Sequence, residues 1–221
     1  MSDRLWPVDL SAALPDRGVV GLRAMRTRDR RDYLDLRARN RDWLRPWDPT
    51  NPDGVVVSVS FAQMLREQRR AARSDRGMAF AVTVDGAFAG QLNLNEMTRR
   101  AFRSCTAGYW VGREFAGRGV APLALALAGD YALGPCRLHR LEVNIRPENT
   151  ASLAVVRKLG LRDEGLRLRY LHIDGAWRDH RSFAVTHEEV GPGGLLDRVR
   201  ANLDRTDPRH TGTRPERGGT V

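Results

Sequence analysis

Lysine is nearly absent from this chain. Among the 37 basic residues of the 221-residue sequence, Lys158 is the only lysine and the rest are arginine. A bias so one-sided reflects coding preference as much as selection for binding. The net charge of +10 therefore does not by itself announce a nucleic-acid groove. Acids lie among the arginines, as in RTRDRRDYLDLRARNRD, so a solvated basic surface is the simpler reading. Cysteine is scarce too. Cys105 and Cys136 have no CxxC motif and no metal-ligand spacing, so buried thiols are expected and no metal is. No apolar run reaches the ~18 residues of a membrane span. ALALAGDYAL comes nearest, and Asp130 interrupts it. The start, MSDRLWPVDL, lacks a basic-then-apolar leader pattern, so a cytoplasmic protein without a membrane partner is expected. There is no internal repeat.

At ~100–200 residues per domain, the length suits one large domain or two small ones. Residues 1–18 are polar and proline-punctuated and read as a loose lead-in. VVGLRAM (Val19–Met25) reads as a first strand. Tyr33, Leu36 and Asn40 then recur at helical spacing, and Pro46 helps to end that helix. PWDPTNPDG is a turn-rich loop carrying Trp47. A second helix is expected from about Ser58 to Ser74, with a serine cap. Asp85-Gly86 and Asp174-Gly175 sit between apolar runs and signal hairpins. ENTASLAVVRKLGL reads as a helix opened near Asn149 or Thr150 and stopped by Gly160. After GPGG, LLDRVRANL reads as a short amphipathic helix, exposed and able to mediate a dimer, before a disordered tail. The division expected is 1–18, 19–190 and 191–221. The order of elements makes this an α/β (α+β) domain with a mixed, mostly antiparallel sheet.

REFAGRGVAPLAL is where chemistry enters. A strand ending at Val111 or Gly112 runs through Arg113–Gly119 into a helix. Gly117 and Gly119 permit positive φ and close approach to a ligand. The free N–H groups and partial positive charge of a helix start suit a pyrophosphate. Arg113 and Arg118 add charge. The spacing is neither the dinucleotide GxGxxG nor a P-loop.

The stretch Ala116-Gly117-Arg118-Gly119-Val120-Ala121 resembles the acyl-CoA loop of the GNAT N-acetyltransferases, with Ala116 where Gln or Arg is usual. HRLEVNIRPENTASLAVVRKLGLRDEG resembles the strand, loop and helix that follow in that superfamily. Asn149, Ser152 and Leu159-Gly160-Leu161 stand at its motif positions. RNRDWLRPWDP and YLHIDGAWRDH resemble segments of the ribosomal-protein-alanine N-acetyltransferases. The resemblance covers about residues 19–190. It implies a seven-stranded sheet flanked by helices and splayed between its fourth and fifth strands, with acetyl-CoA in the opening. Pantetheine would bond main-chain groups of Trp110 and Val111 beside Gly112. The pyrophosphate would sit on Gly117, Arg118, Gly119, Val120 and Ala121. Asn149 and Ser152 would contact the cofactor.

Direct transfer needs a neutral amine. A free α-amine has a pKa of about 7.7–8.0 against about 10.4 for lysine, so an N-terminal acetylase needs only a modest base. Glu142, alternating with Leu141 and Val143, faces two readings. It is either a base in the cleft with a raised pKa, or an edge glutamate paired with Arg140 or Arg146. Ser152 is a candidate acid for the leaving thiolate, and Tyr170 another. The N–H of Val111 or Gly112 would serve a developing oxyanion if a bulge freed it. Trp47, Trp110 and Trp177 are candidates to wall the acceptor tunnel, and Asp179 to receive a peptide amino terminus. His180 reads as structural.

Three functions remain open. The first is acetylation of a protein N-terminus, perhaps on a ribosomal protein and with ribosome association. The second is acetylation of a small amine such as a polyamine, amino acid or aminoglycoside. The third is a non-catalytic basic binder of ribosome or nucleic acid. Monomer and dimer are equally compatible with the sequence.

Overall fold

Residues 5–14, 18–54 and 59–206 are described in the computed structural model. They carry strands β1 (Leu10–Leu14), β2 (Gly18–Ala24), β3 (Met78–Val84), β4 (Ala87–Thr98), β5 (Ser104–Val111), β6 (Arg140–Ile145), β7 (Arg162–Ile173) and β8 (Ala176–Thr186). The helices are α1 (Arg30–Arg39), α2 (Arg41–Leu44), α3 (Phe61–Arg73), α4 (Val120–Leu133), α5 (Thr150–Leu159) and α6 (Gly194–Thr206). The strands form one sheet in the order β1-β2-β3-β4-β5-β6-β8-β7. Every neighbouring pair is antiparallel except β5 with β6. Among the described residues no helix is long and apolar enough to cross a membrane.

The Asp-Gly turns behave as their chemistry demands. Asp85 and Gly86, and again Asp174 and Gly175, all have positive φ, the conformation that a two-residue hairpin needs at both central positions. β3, MAFAVTV, is buried at every position, because helices cover it on both faces. On one face Phe61 and Leu65 of α3 pack with Leu36, Ala81 and Phe88. On the other lies α4, which is apolar all round and buried along nearly its whole length. Asp130 interrupts that helix for a reason. Its carboxylate accepts the N–H groups of Leu195 at 2.7 Å and Leu196 at 3.1 Å, capping α6. The two thiols are buried as expected, which pushes Cys105 up to about 12 and Cys136 to about 11.

Three expectations are corrected. The supposed lead-in contains β1, whose small inward residue Ala12 and modest length hide a period of two; the sheet therefore has eight strands, not seven. The helix near the C-terminus is not an exposed dimerisation element. Leu195 and Val199 of α6 are fully buried against the core of the same chain. α3 begins at Phe61, capped by Ser60, whose side chain accepts the Gln63 N–H at 3.3 Å. Ser58 and the tail 207–221 lie outside the described residues. Counting seven strands from β2, the splay expected between the fourth and fifth falls between β5 and β6, where the sheet indeed opens.

Candidate active site

β5 and β6 hold each other over only three rungs, Ser104 with Arg140, Cys105 with Leu141 and Thr106 with Glu142. Beyond Thr106, β5 stays with β4 and β6 stays with β8, so a V opens between them. The backbone polarity of the V follows from two bonds. Arg103 O accepts from His139 and Arg140 on the β6 side, and Gly112 N–H donates to Ala89 O on the β4 side at 2.9 Å. Strand alternation then turns the peptide groups of Tyr109 and Val111 into the gap and those of Trp110 onto β4. The Val111 carbonyl accepts from Trp43 Nε1 at 3.3 Å, which leaves the Val111 N–H and the Tyr109 peptide groups for a ligand. The peptide groups that face the gap are therefore those of Tyr109 and Val111, and not those of Trp110. The Trp110 indole instead packs with Tyr33 and Phe88, under the Arg37 guanidinium at 5.3 Å. Gly112 is excluded as an oxyanion donor, because the ladder has no bulge at this end and its N–H is already used.

The glycine loop closes one end of the V. Gly117 and Gly119 have φ of +72° and +83°, which only glycine adopts at little cost. A Cβ at Gly117 would touch nothing within 4 Å, whereas one at Gly119 would meet Leu14 and Leu203 at 3.1–3.4 Å. α4 starts without a side-chain cap, and Pro122 has no N–H. The amides of Val120 and Ala121 therefore point outward with no protein acceptor. The stem of the loop is fixed by buried Asn40. Its Oδ1 accepts the Arg113 N–H at 2.7 Å, and its Nδ2 donates to Glu114 at 3.1 Å. The arginine side chains lie outside the cavity. Arg113 stacks 6.0 Å from Trp43 and Arg118 5.9 Å from Phe115. In their place the sole lysine, Lys158 on α5, lines the cavity, which encloses about 380 Å³.

A second cavity of about 290 Å³ continues through the V. Trp47, Tyr109, Trp110, Asn149 and Ser152 line both cavities, so the two meet at these five residues. Asn149 caps α5 by accepting the Ser152 N–H at 3.0 Å through Oδ1, which leaves its Nδ2 as a donor. The Tyr109 hydroxyl is buried beside Ser152, makes no hydrogen bond of proper geometry, and is pushed up to about 12 by burial. It stays a proton donor at every working pH. The second cavity has polar groups set into a largely apolar wall, among them Asn93, Asn95, Asn144, Arg146 and His180. Asp48 is the one carboxylate lining it, and Arg37 grips both its oxygens at 3.1 and 2.7 Å. Its roof, Trp47–Thr50, is tied to the β7–β8 hairpin through the bridge of Pro49 with Ile173 and the bond from Thr50 N–H to His172 O.

His180, read from the sequence as structural, stands on the wall of the second cavity. It is buried, and its Nδ1 lies 3.0 Å from Arg178 O, so Nδ1 carries the proton and Nε2 the lone pair. Burial pulls its pKa below the usual imidazole value, aided by the charge of Arg146 and despite the bond to Arg178. The ring is neutral at pH 7.

Of the two readings of Glu142, the structure favours the paired one, with Arg167 in place of Arg146 beside Arg140. Its carboxylate accepts from Arg140 at 2.8 Å, Arg167 at 2.8 Å and Asn144 at 3.0 Å. Burial would raise its pKa, but the bonds from Arg140 and Asn144 and the charge of Arg167 outweigh it, and the group titrates below its usual range. Glu142→Gln should therefore leave kcat within about threefold while costing roughly 1–3 kcal/mol of stability in urea unfolding. A carboxyl with a depressed folded pKa contributes stability above its unfolded pKa of about 4.3 and loses it as pH falls through the folded value. The variant should accordingly lose less stability than the parent between about pH 5 and 2. Tyr170, Trp177 and Asp179 line neither cavity. β7 changes register between Arg167 and Leu171, which takes Tyr170 out of simple alternation; its ring lies 4.8 Å from the Arg167 guanidinium. Trp177 is exposed against His172, and Asp179 accepts the Arg169 N–H at 2.8 Å.

Residues 20–162 match the family described as Acetyltransferase (GNAT) domain. The chain is 31% identical over 188 residues to the ribosomal protein uS5-alanine N-acetyltransferase of Escherichia coli (strain K12), covering 80% of this chain and 92% of that protein. It is 28% identical over 167 residues to the spermidine N(1)-acetyltransferase of the same organism, covering 75% and 85% respectively. Among solved structures, Mycobacterium smegmatis RimJ in complex with CoA-disulfide is similar with a TM-score of 0.83 at 39% identity, covering 90% of this chain and 96% of that one.

Proposed function

The chain belongs to the GNAT acetyltransferases and is an acetyl-CoA-dependent acyltransferase, and we propose that its acceptor is the N-terminal α-amine of a protein, with a ribosomal protein as the first candidate. The observation that carries this reading is the acceptor cavity without a free carboxylate. A polyamine or a lysine arrives fully protonated and needs carboxylates to hold it. Here Asp48 is already neutralised by Arg37. A peptide α-amine is partly neutral near pH 7.5, and Asn93, Asn95 and Asn144 offer donors and acceptors to the peptide groups that follow it. The similarity to the uS5-alanine enzyme points the same way.

Bound acetyl-CoA supplies the acetyl group as a thioester, with its pyrophosphate on the free amides of the α4 start and Lys158 placed for a further phosphate. His180 Nε2 takes the proton that the attacking amine loses as the N–C bond forms. Ser152 Oγ gives a proton to the sulfur as the C–S bond breaks and regains one from solvent, while the proton on His180 is released to solvent, so the site returns to its starting state. Tyr109 stands behind Ser152 as a positioning residue and steadies its oxygen when that proton leaves. Tyr109→Phe should lower kcat about 3–10-fold, and it should barely change the melting temperature, because the hydroxyl lies beside Ser152 without a hydrogen bond of proper geometry. A fall in stability together with unchanged kcat would reverse this assignment.

The acceptor is tested by incubating the protein with acetyl-CoA and a panel of amines and reading products by mass spectrometry. Peptides with free N-termini beginning with Ala or Ser should be acetylated, and their N-blocked counterparts should not. Acetylation of spermidine or an aminoglycoside alone would overturn the proposal.

A further inference from the structure

Away from the V, a cleft of about 760 Å³ opens between α3 and the segment that precedes β1. It shares no lining residue with either cavity of the V. Trp6 and Met25 supply apolar wall, Arg26, Arg69 and Arg73 supply charge, and Gln68 lies among them. Gln68 Oε1 is buried and has no hydrogen-bond partner. A buried carbonyl without a donor is uncommon enough to require an explanation, and a ligand N–H is one.

The cleft continues onto a charged stripe. Arg66, Arg69, Arg70 and Arg73 recur on α3 at spacings of three and four, which puts them on one side of the helix, and all are exposed. Together with Ser74 they line a shallow pocket that shares Arg69 and Arg73 with the cleft. None of the four forms an ion pair among the described residues. Several arginines elsewhere are held by acids, such as Arg23 by Asp29, Arg37 by Asp48, Arg99 by Asp75 and Arg140 by Glu142 and Glu164. What sets this stripe apart is its grouping: four arginines without an acid partner stand on one helix face, and two of them also line the cleft. The acids nearby are Glu67, exposed on α3, and Asp9, mostly exposed and 3.8 Å from Arg26. At 1.5 Å per residue the stripe is about 10 Å long, the reach of about three phosphates along one strand.

We propose that the arginine stripe of α3 and the adjoining cleft bind a single-stranded polynucleotide, its phosphates on Arg66, Arg69, Arg70 and Arg73 and one base against Trp6 with an N–H donated to Gln68 Oε1. An acidic peptide would satisfy the arginines as well. It has no planar ring with N–H donors for a cleft that pairs an indole with an unpartnered amide carbonyl. The site is independent of the acceptor proposed above.

The test uses the full chain and fluorescence anisotropy with labelled ten-nucleotide RNA and DNA single strands, and with polyglutamate of equal charge, over a range of salt. The expected result is binding to a single strand, with log K falling by roughly 0.7 per phosphate contact for each decade of salt. Preference between the RNA and DNA arms identifies the natural form. Arg69→Gln/Arg70→Gln/Arg73→Gln should make the salt slope shallower by about 2. Gln68→Leu should weaken binding about 3–10-fold with the slope unchanged, since it removes an uncharged acceptor. Acetyl-CoA affinity should be unchanged in both, which also reports folding; should the triple variant fail to fold, the parent salt series and Gln68→Leu decide. A parent slope near zero, a triple variant with the parent slope, or polyglutamate bound as tightly as the nucleic acids would each overturn the proposal.

Discussion

Gly117→Trp is expected to raise the dissociation constant for acetyl-CoA by about 100-fold or more, while the melting temperature falls by only a few degrees. The residue sits in the left-handed region, so any side chain there adds strain of roughly 1–2 kcal/mol. No protein atom lies within 4 Å of the position its Cβ would take. The indole would therefore fill space in front of the α4 amides and leave the core undisturbed. Gly119→Trp, a natural first choice from the sequence, is the poorer experiment. Its side chain would push into Leu14 and Leu203, and lost binding would be confounded with lost packing. Titration calorimetry beside differential scanning fluorimetry separates the two. Undiminished affinity in folded Gly117→Trp would remove the phosphate loop from the site.

His180→Gln should lower kcat about 10²–10⁴-fold, the range for loss of a positioned base. The pH dependence is more discriminating. Burial lowers the folded pKa of His180 below the ordinary 6.5, so its neutral, proton-accepting form persists below that pH. In the parent enzyme kcat should fall as pH drops through that lowered value, and the variant should lose this acid limb. Stability carries the same sign. An imidazole with a depressed folded pKa contributes stability that is complete above 6.5 and is lost as pH falls toward the folded value, because the unfolded chain binds the proton first. A variant with kcat within about threefold of the parent and the same acid limb would transfer the base role elsewhere.

Much of this architecture could be read from local sequence. Asp85-Gly86 and Asp174-Gly175 had to turn, Asn149 had to cap and Gly160 to stop a helix, and Gly117 and Gly119 had to bend ahead of α4. Each is a matter of φ, hydrogen bonding to the nearest amides, or apolar period, and each acts within a few residues. β1 escaped because short strands of small residues have almost no period to detect.

The reading failed where chemistry depended on partners distant in the chain. Of the two readings of Glu142, the pairing with Arg140 was visible two positions away, but Arg167, which also neutralises it, comes 25 residues later from another strand. His180 reads as one more polar residue in a hairpin until β8 turns it into the cavity beneath the Trp47 loop. Tyr109 was one place from the tryptophan chosen in its stead, and only the direction of the β5–β4 ladder distinguishes which of two adjacent peptide groups faces the gap. Residue order was enough to specify family, element order and phosphate loop, because backbone conformation is set by near neighbours. The proton inventory of the site was left to tertiary structure, because desolvation and charge pairing depend on which groups the fold brings together.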